Sequence, residues 1–116
     1  MKYIKTFESL IDYKVGDYVL IIITAYFDLY RDFINNTIGR IVKITPVYSH
    51  NYRQEVILKY YNIEVSYSNV PVECANMFIK TKNDKYRVDF PSYMIYKYSK
   101  NKEDLEIILN SKKFNL

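Results

Sequence analysis

The sequence of 116 residues predicts a mostly β domain of five to six strands followed by a C-terminal amphipathic helix. Three observations carry this prediction. Short runs rich in Ile, Val and Tyr recur along the chain, separated by Gly, Pro, Asn and Asp, which is strand-and-turn punctuation. The stretch after Lys100 has acidic residues at its start, an apolar stripe and lysines at its end, the pattern of a helix that complements its own dipole. No internal repeat and no Gly/Ser/Pro-rich linker interrupts residues 1–116, as expected of a single domain.

The elements follow in order. Ile4, Phe7 and Ile11 fall on one face of a short helix, so residues 1–13 read as an N-terminal arm or short helix. Val15-Gly16-Asp17 is a turn leading into a buried strand through Ile23, because Gly16 permits the turn and the β-branched run favours extension. Tyr26 to Asn36 reads equally as a short helix, with Tyr26, Tyr30 and Phe33 at helical spacing, or as a long ordered loop. Thr37 to Thr45 is a second strand in which Gly39 permits a bend or bulge. Pro46 to Asn51 is a turn-rich link, and Tyr52 to Asn62 a third strand. Ile63 to Ala75 is ambiguous, since Pro71 argues against a central strand. Met77 to Thr81 and Tyr86 to Phe90 form a hairpin about the turn Lys82-Asn83-Asp84-Lys85. Pro91-Ser92 breaks it, and Tyr93 to Tyr98 is the last strand. Asn101 caps a helix whose face is Leu105, Ile108 and Leu109.

The stretch Val15 to Ile23, a variable loop, and Ile38-Gly39-Arg40-Ile41-Val42-Lys43-Ile44 resembles the opening of an SH3-like barrel of the KOW or Tudor kind. The resemblance covers about 30 residues. It implies a small barrel over residues 14–99 and a helix over 100–113, with loops and one face presented to RNA, DNA or peptides. Met1 to Glu8 and Tyr98 to Leu116 resemble the ends of small accessory proteins of marine tailed phages. That likeness implies an accessory viral protein, in the cytoplasm of an infected cell or in the virion.

Composition agrees with such a source. Ile, Tyr, Lys, Asn, Phe and Met, which have AT-rich codons, make up 61 of the 116 residues. Part of the Lys and Tyr abundance is therefore expected from genome bias alone. The net charge of +4 is localised. Residues 76–100 carry Lys80, Lys82, Lys85, Arg87, Lys97 and Lys100 against Asp84 and Asp89, whereas the rest of the chain balances. A local cationic excess points to an anionic partner more strongly than a diffuse one.

Several chemistries are excluded. With Cys74 the only cysteine, there is no internal disulfide and no cysteine zinc site. His50 is the only histidine and lies in a polar stretch, read as a solvated loop residue. Gly16 and Gly39 are the only glycines, so no glycine-rich phosphate loop exists. The longest apolar run is too short to span a bilayer, and the N-terminus lacks a secretory signal pattern. The expectation is a non-catalytic, intracellular protein with no cofactor and no metal, and Cys74 as a buried inert thiol.

Two binding surfaces are candidates. The basic hairpin Lys80, Lys82, Lys85 and Arg87, with Tyr86 between, is suited to hold phosphates and stack on a base, and Arg40, Lys43 and Lys59 extend it. The competing explanation is an edge hairpin blunted by lysines against aggregation. Tyr48, Tyr52, Tyr60, Tyr61 and Tyr67 form the second candidate, a tyrosine-rich peptide groove for a host or virion protein. The competing explanation there is half-buried cross-strand rings. Nucleic acid is the first expectation and protein the second.

Overall fold

The computed structural model describes residues 11–114. The expected helix through Ile4 and Phe7 lies outside them. Six strands form one antiparallel sheet: β1 (Tyr18–Ile21), β2 (Gly39–His50), β3 (Val56–Tyr67), β4 (Ile79–Lys80), β5 (Tyr86–Pro91) and β6 (Ile95–Ser99). Their order is β4-β5-β3-β2-β1-β6. The ladder is open among the described residues, with β4 and β6 as its edges.

Strand alternation divides the sheet into two faces. Tyr61, Ile63, Val65 and Tyr67 of β3 are buried, while the residues between them are not. Val19 and Ile21 of β1, Ile41 of β2 and Phe90 of β5 share that buried face. It is covered by helix α1 (Asp28–Asn35), which contributes Tyr30 and Ile34, and by the 3-10 helix Val72–Met77, which contributes Cys74. The stretch after β1 is thus helical, as the Tyr26/Tyr30/Phe33 spacing allowed. Asn35 fastens α1 to the sheet. Its side chain accepts from the Ile23 N–H at 2.8 Å and donates to the Ile23 carbonyl at 3.0 Å. The amide takes the place of a neighbouring strand where β1 has ended.

Leu20 points to the opposite face from Val19 and Ile21, yet it is also buried. Helix α2 (Lys102–Phe114) packs against β1 and β6 and buries Leu105. Ile107 lies off that stripe and is exposed. At the helix start, Ser99 donates to the Asp104 carboxylate at 2.6 Å, and its oxygen accepts from the Asn101 N–H at 3.1 Å. Ser99 therefore ties the first turn together beside the expected cap, Asn101.

The boundaries differ from the sequence expectation at several points: Met77, expected in a strand, ends the 3-10 helix, Tyr93 and Met94 lie in a 3-10 turn before β6, and two differences are larger. Pro46 to His50 is not a turn but the outer half of β2, paired with β3 down to His50 opposite Val56. Pro46 is tolerated because β1 meets β2 only at Gly39 and Arg40, leaving that edge of β2 open. The reversal falls at Asn51, whose side-chain oxygen accepts from the N–H groups of Arg53 and Glu55. Gln54 takes a left-handed φ of 65° there. The second difference is at Ile63 to Tyr67, the innermost part of β3, flanked by β2 and β5. Beyond Asn62, β5 no longer reaches β3. The outer halves of β2 and β3 therefore project as a two-stranded ribbon, and the molecule measures 48 × 29 × 29 Å. His50 ends β2 and is exposed, at the base of the reversal.

Among the described residues, no helix is long and apolar enough to cross a membrane.

Candidate nucleic-acid interface

The face of the sheet that α2 shares carries one transverse row of side chains. Tyr18 lies opposite Arg40, Arg40 opposite Ser66, and Ser66 opposite Arg87. Directly opposed residues in an antiparallel pair point to the same face. Four strands thus set these four side chains side by side. They floor an open cleft of about 1070 Å³. Its walls are the turn at Val15 and Gly16, the segment Ser68–Asn69, and the β4–β5 turn with Lys80, Lys82 and Lys85, while Lys102 at the start of α2 borders it.

The local conformations that build the cleft follow from the sequence. Gly16 has a φ of 98°, which a side chain would strain, and its N–H donates to the Ile41 carbonyl at 2.8 Å. Asn69 and Asn83 take the left-handed φ values of 57° and 69° at the two turns bordering the cleft, a conformation Asn tolerates better than most residues. The Thr81 N–H and hydroxyl both reach the Lys85 carbonyl and close the β4–β5 turn.

Among the described residues, six cationic ones line the cleft: Arg40, Lys80, Lys82, Lys85, Arg87 and Lys102. Among the described side chains, the nearest carboxylates on this face stand in the neighbouring row, where Glu64 lies opposite Asp89 on one side and Lys43 on the other. Glu64 reaches into the cleft's margin through one ion pair, to Arg87 at 3.0 Å. Both partners are partly exposed, so the pair is worth little to stability. Arg40 is held in place: its Nε donates to the Gly16 carbonyl at 3.0 Å, and its guanidinium lies 5.4 Å from the centre of the Tyr18 ring.

The structure therefore gathers Lys80, Lys82, Lys85, Arg87 and Arg40 of the sequence candidates and leaves out three. Tyr86 faces the core, opposite Tyr67 and 6.1 Å from the Phe78 ring, because it alternates with Arg87 along β5. Its ring is not a lining group of the cleft. Lys43 is set against Glu64 in the next row, and Lys59 sits out on the ribbon. Tyr18 and Lys102 join the site without having been singled out. Tyr18 was legible only through its register with Arg40, and Lys102 only through the packing of α2.

The tyrosine candidates do not form one surface. Tyr61 and Tyr67 are buried on the core face. Tyr60 is on the other face, edge-on to Tyr93 at 5.9 Å. Tyr48 and Tyr52 lie near the ribbon's tip, where the Arg53 guanidinium covers the Tyr52 ring at 5.4 Å. Cys74 is buried, its thiol directed at the Pro71 carbonyl, and burial pushes its pKa up. The described residues contain no group of three or more His, Cys, Asp or Glu placed to hold a metal ion.

No family model matches this chain, and neither the curated proteins nor the solved structures contain a match to it.

Proposed function

We propose that this chain is a small non-catalytic, phage-type accessory protein that binds nucleic acid through the cleft beneath the β4–β5 turn. The observation that carries the reading is the gathering of six cations from three strands, a turn and a helix start into one concavity whose described lining residues include no Asp or Glu. A lysine-blunted edge needs cations only on its own hairpin, and it does not account for Arg40 or Lys102. We read the architecture as SH3-like. The return of β6 to pair with β1, after the β1-β2-β3-β5 meander, supports that reading because a barrel needs its last strand beside its first. A host or virion protein held by the ribbon is the second reading, favoured by the exposed Tyr52, Val56 and Ile57.

The test is fluorescence anisotropy of labelled DNA and RNA. Binding is expected at about 50 mM salt, and with roughly five phosphates neutralised it should weaken about 100-fold at about 200 mM. Changing Lys82→Glu and Lys85→Glu together should weaken it at least about tenfold and flatten the salt dependence. These two residues are chosen over Arg87 because Arg87→Glu would face Glu64. Absence of binding at low salt would remove this reading. The ribbon reading predicts instead a protein partner whose capture is lost in Ile57→Asp and kept in the lysine variant.

A further inference from the structure

The cleft's shape and its floor bear on which form of nucleic acid it takes. A duplex is read by an element that projects into a groove. The site here is concave, so it receives a ligand rather than inserting into one. Four strands at a spacing of about 4.8 Å make its floor about 14 Å wide. At one end stand Tyr18 and Arg40, the guanidinium already held over the ring and fastened to the Gly16 carbonyl. At the other end is the cationic turn of Lys82 and Lys85. The hydroxyl of Ser66 and the amide of Asn69 lie among these groups and can both donate to and accept from base edges. The β2–β3 ribbon is the projecting element that a duplex groove would require. It carries Arg53 and Lys59 against Glu55, beside the exposed Val56 and Ile57, whereas six cations collect in the cleft.

We propose that the cleft binds a single strand, with a base stacked on the Tyr18–Arg40 pair and the backbone running toward the β4–β5 turn. This rests on the nucleic-acid reading above. Single strands can present unstacked bases to aromatic rings and to guanidinium planes, and a duplex cannot without being opened. The pair needs no rearrangement to serve as a platform, since the Gly16 carbonyl already orients the guanidinium.

The full chain is titrated into labelled oligothymidylate of about 12 nucleotides, oligouridylate of the same length, and a duplex of the same length at about 50 mM salt. One or both single strands should bind at least about tenfold tighter than the duplex, and the two single-stranded arms separate DNA from RNA as the source. Tyr18→Ala should weaken single-strand binding roughly 5- to 100-fold with little change in its salt dependence, and Tyr18→Phe should retain it. Arg40→Lys keeps the charge on an exposed residue and should still weaken binding, because a lysine has no plane to stack. Equal or tighter duplex binding, or undiminished single-strand binding by folded Tyr18→Ala and Arg40→Lys, overturns this inference while the broader reading stands. No binding to any of the three probes removes both.

Discussion

A methyl group added at Gly39 has no room. It would overlap Val65 Cγ1 and lie 2.9 Å from the Tyr67 ring. The sequence suggested that Gly39 permits a bend. The structure shows a different need, close approach of β3 side chains across the ladder. Gly39→Ala should therefore destabilise the fold by about 1–3 kcal/mol, measured by urea denaturation, as overpacking generally does. A wild-type midpoint in that variant would show that β3 can shift aside. Tyr67 offers the opposite case. Its ring is buried against Phe33 and Phe78, but its hydroxyl has no hydrogen-bond partner among the described residues. A buried, unpaired hydroxyl costs about 1–3 kcal/mol. Tyr67→Phe is thus expected to unfold at equal or higher urea concentration than the parent, and a clear loss of stability would mean that the hydroxyl is satisfied.

At the scale of elements, α1 is fastened to the sheet by its last residue, Asn35, and not by its N-cap. Its N-cap position, Phe27, makes no side-chain cap hydrogen bond. The helix is held by Tyr30 and Ile34 against the sheet and by the paired hydrogen bonds of Asn35 to Ile23. Asn35→Ala leaves both Ile23 backbone groups without those partners and should cost about 1–3 kcal/mol. Amide hydrogen exchange at Ile23 should rise more than at Val19, which keeps its ladder partners. Equal protection at Ile23 in the variant would show that the backbone finds other partners. The same pairing explains why the element after β1 was undecided from sequence. The helical spacing of Tyr26, Tyr30 and Phe33 is weak by itself, and a contact twelve residues away in the chain settles it.

For the molecule as a whole, the buried tyrosines set its response to alkali. Burial holds the Tyr30 hydroxyl well above its ordinary value of 10.0, at about 12, with Tyr26 and Cys74 adding to the effect. Burial raises Tyr67 further. Above pH 10 the unfolded chain releases protons that the folded chain retains, so the folded state binds more protons and stability falls with rising pH. The contribution is intact below pH 10 and lost as pH climbs toward 12. Tyrosinate absorbance should rise in two stages, exposed rings first, with the second coinciding with loss of the circular dichroism signal. A single early stage with the fold intact would contradict the burial of Tyr30 and Tyr67.

Much of the architecture was legible because it rests on local rules. The β-branched run around Val19 to Ile21 forms a strand, Gly16 turns the chain, and Leu105, Ile108 and Leu109 share a helical stripe, as their spacing requires. The burial of Cys74 followed from its being a lone, apolar thiol. The basic hairpin was likewise visible as a local charge excess. What tertiary structure alone decided is which residues meet. Tyr86 and Arg87 are neighbours in sequence, and period-two alternation sends them to opposite faces, but only the register with Ser66 and Tyr67 assigns Arg87 to the cleft and Tyr86 to the core. Pro46 reads as a turn residue and lies within a strand because β1 is too short to need its missing N–H. Tyr18, Arg40, Ser66 and Arg87 come from four separate strands, and no local propensity relates them. Their meeting is fixed by hydrogen-bond registers, which are set by burying one complete face of the sheet and not by any segment alone.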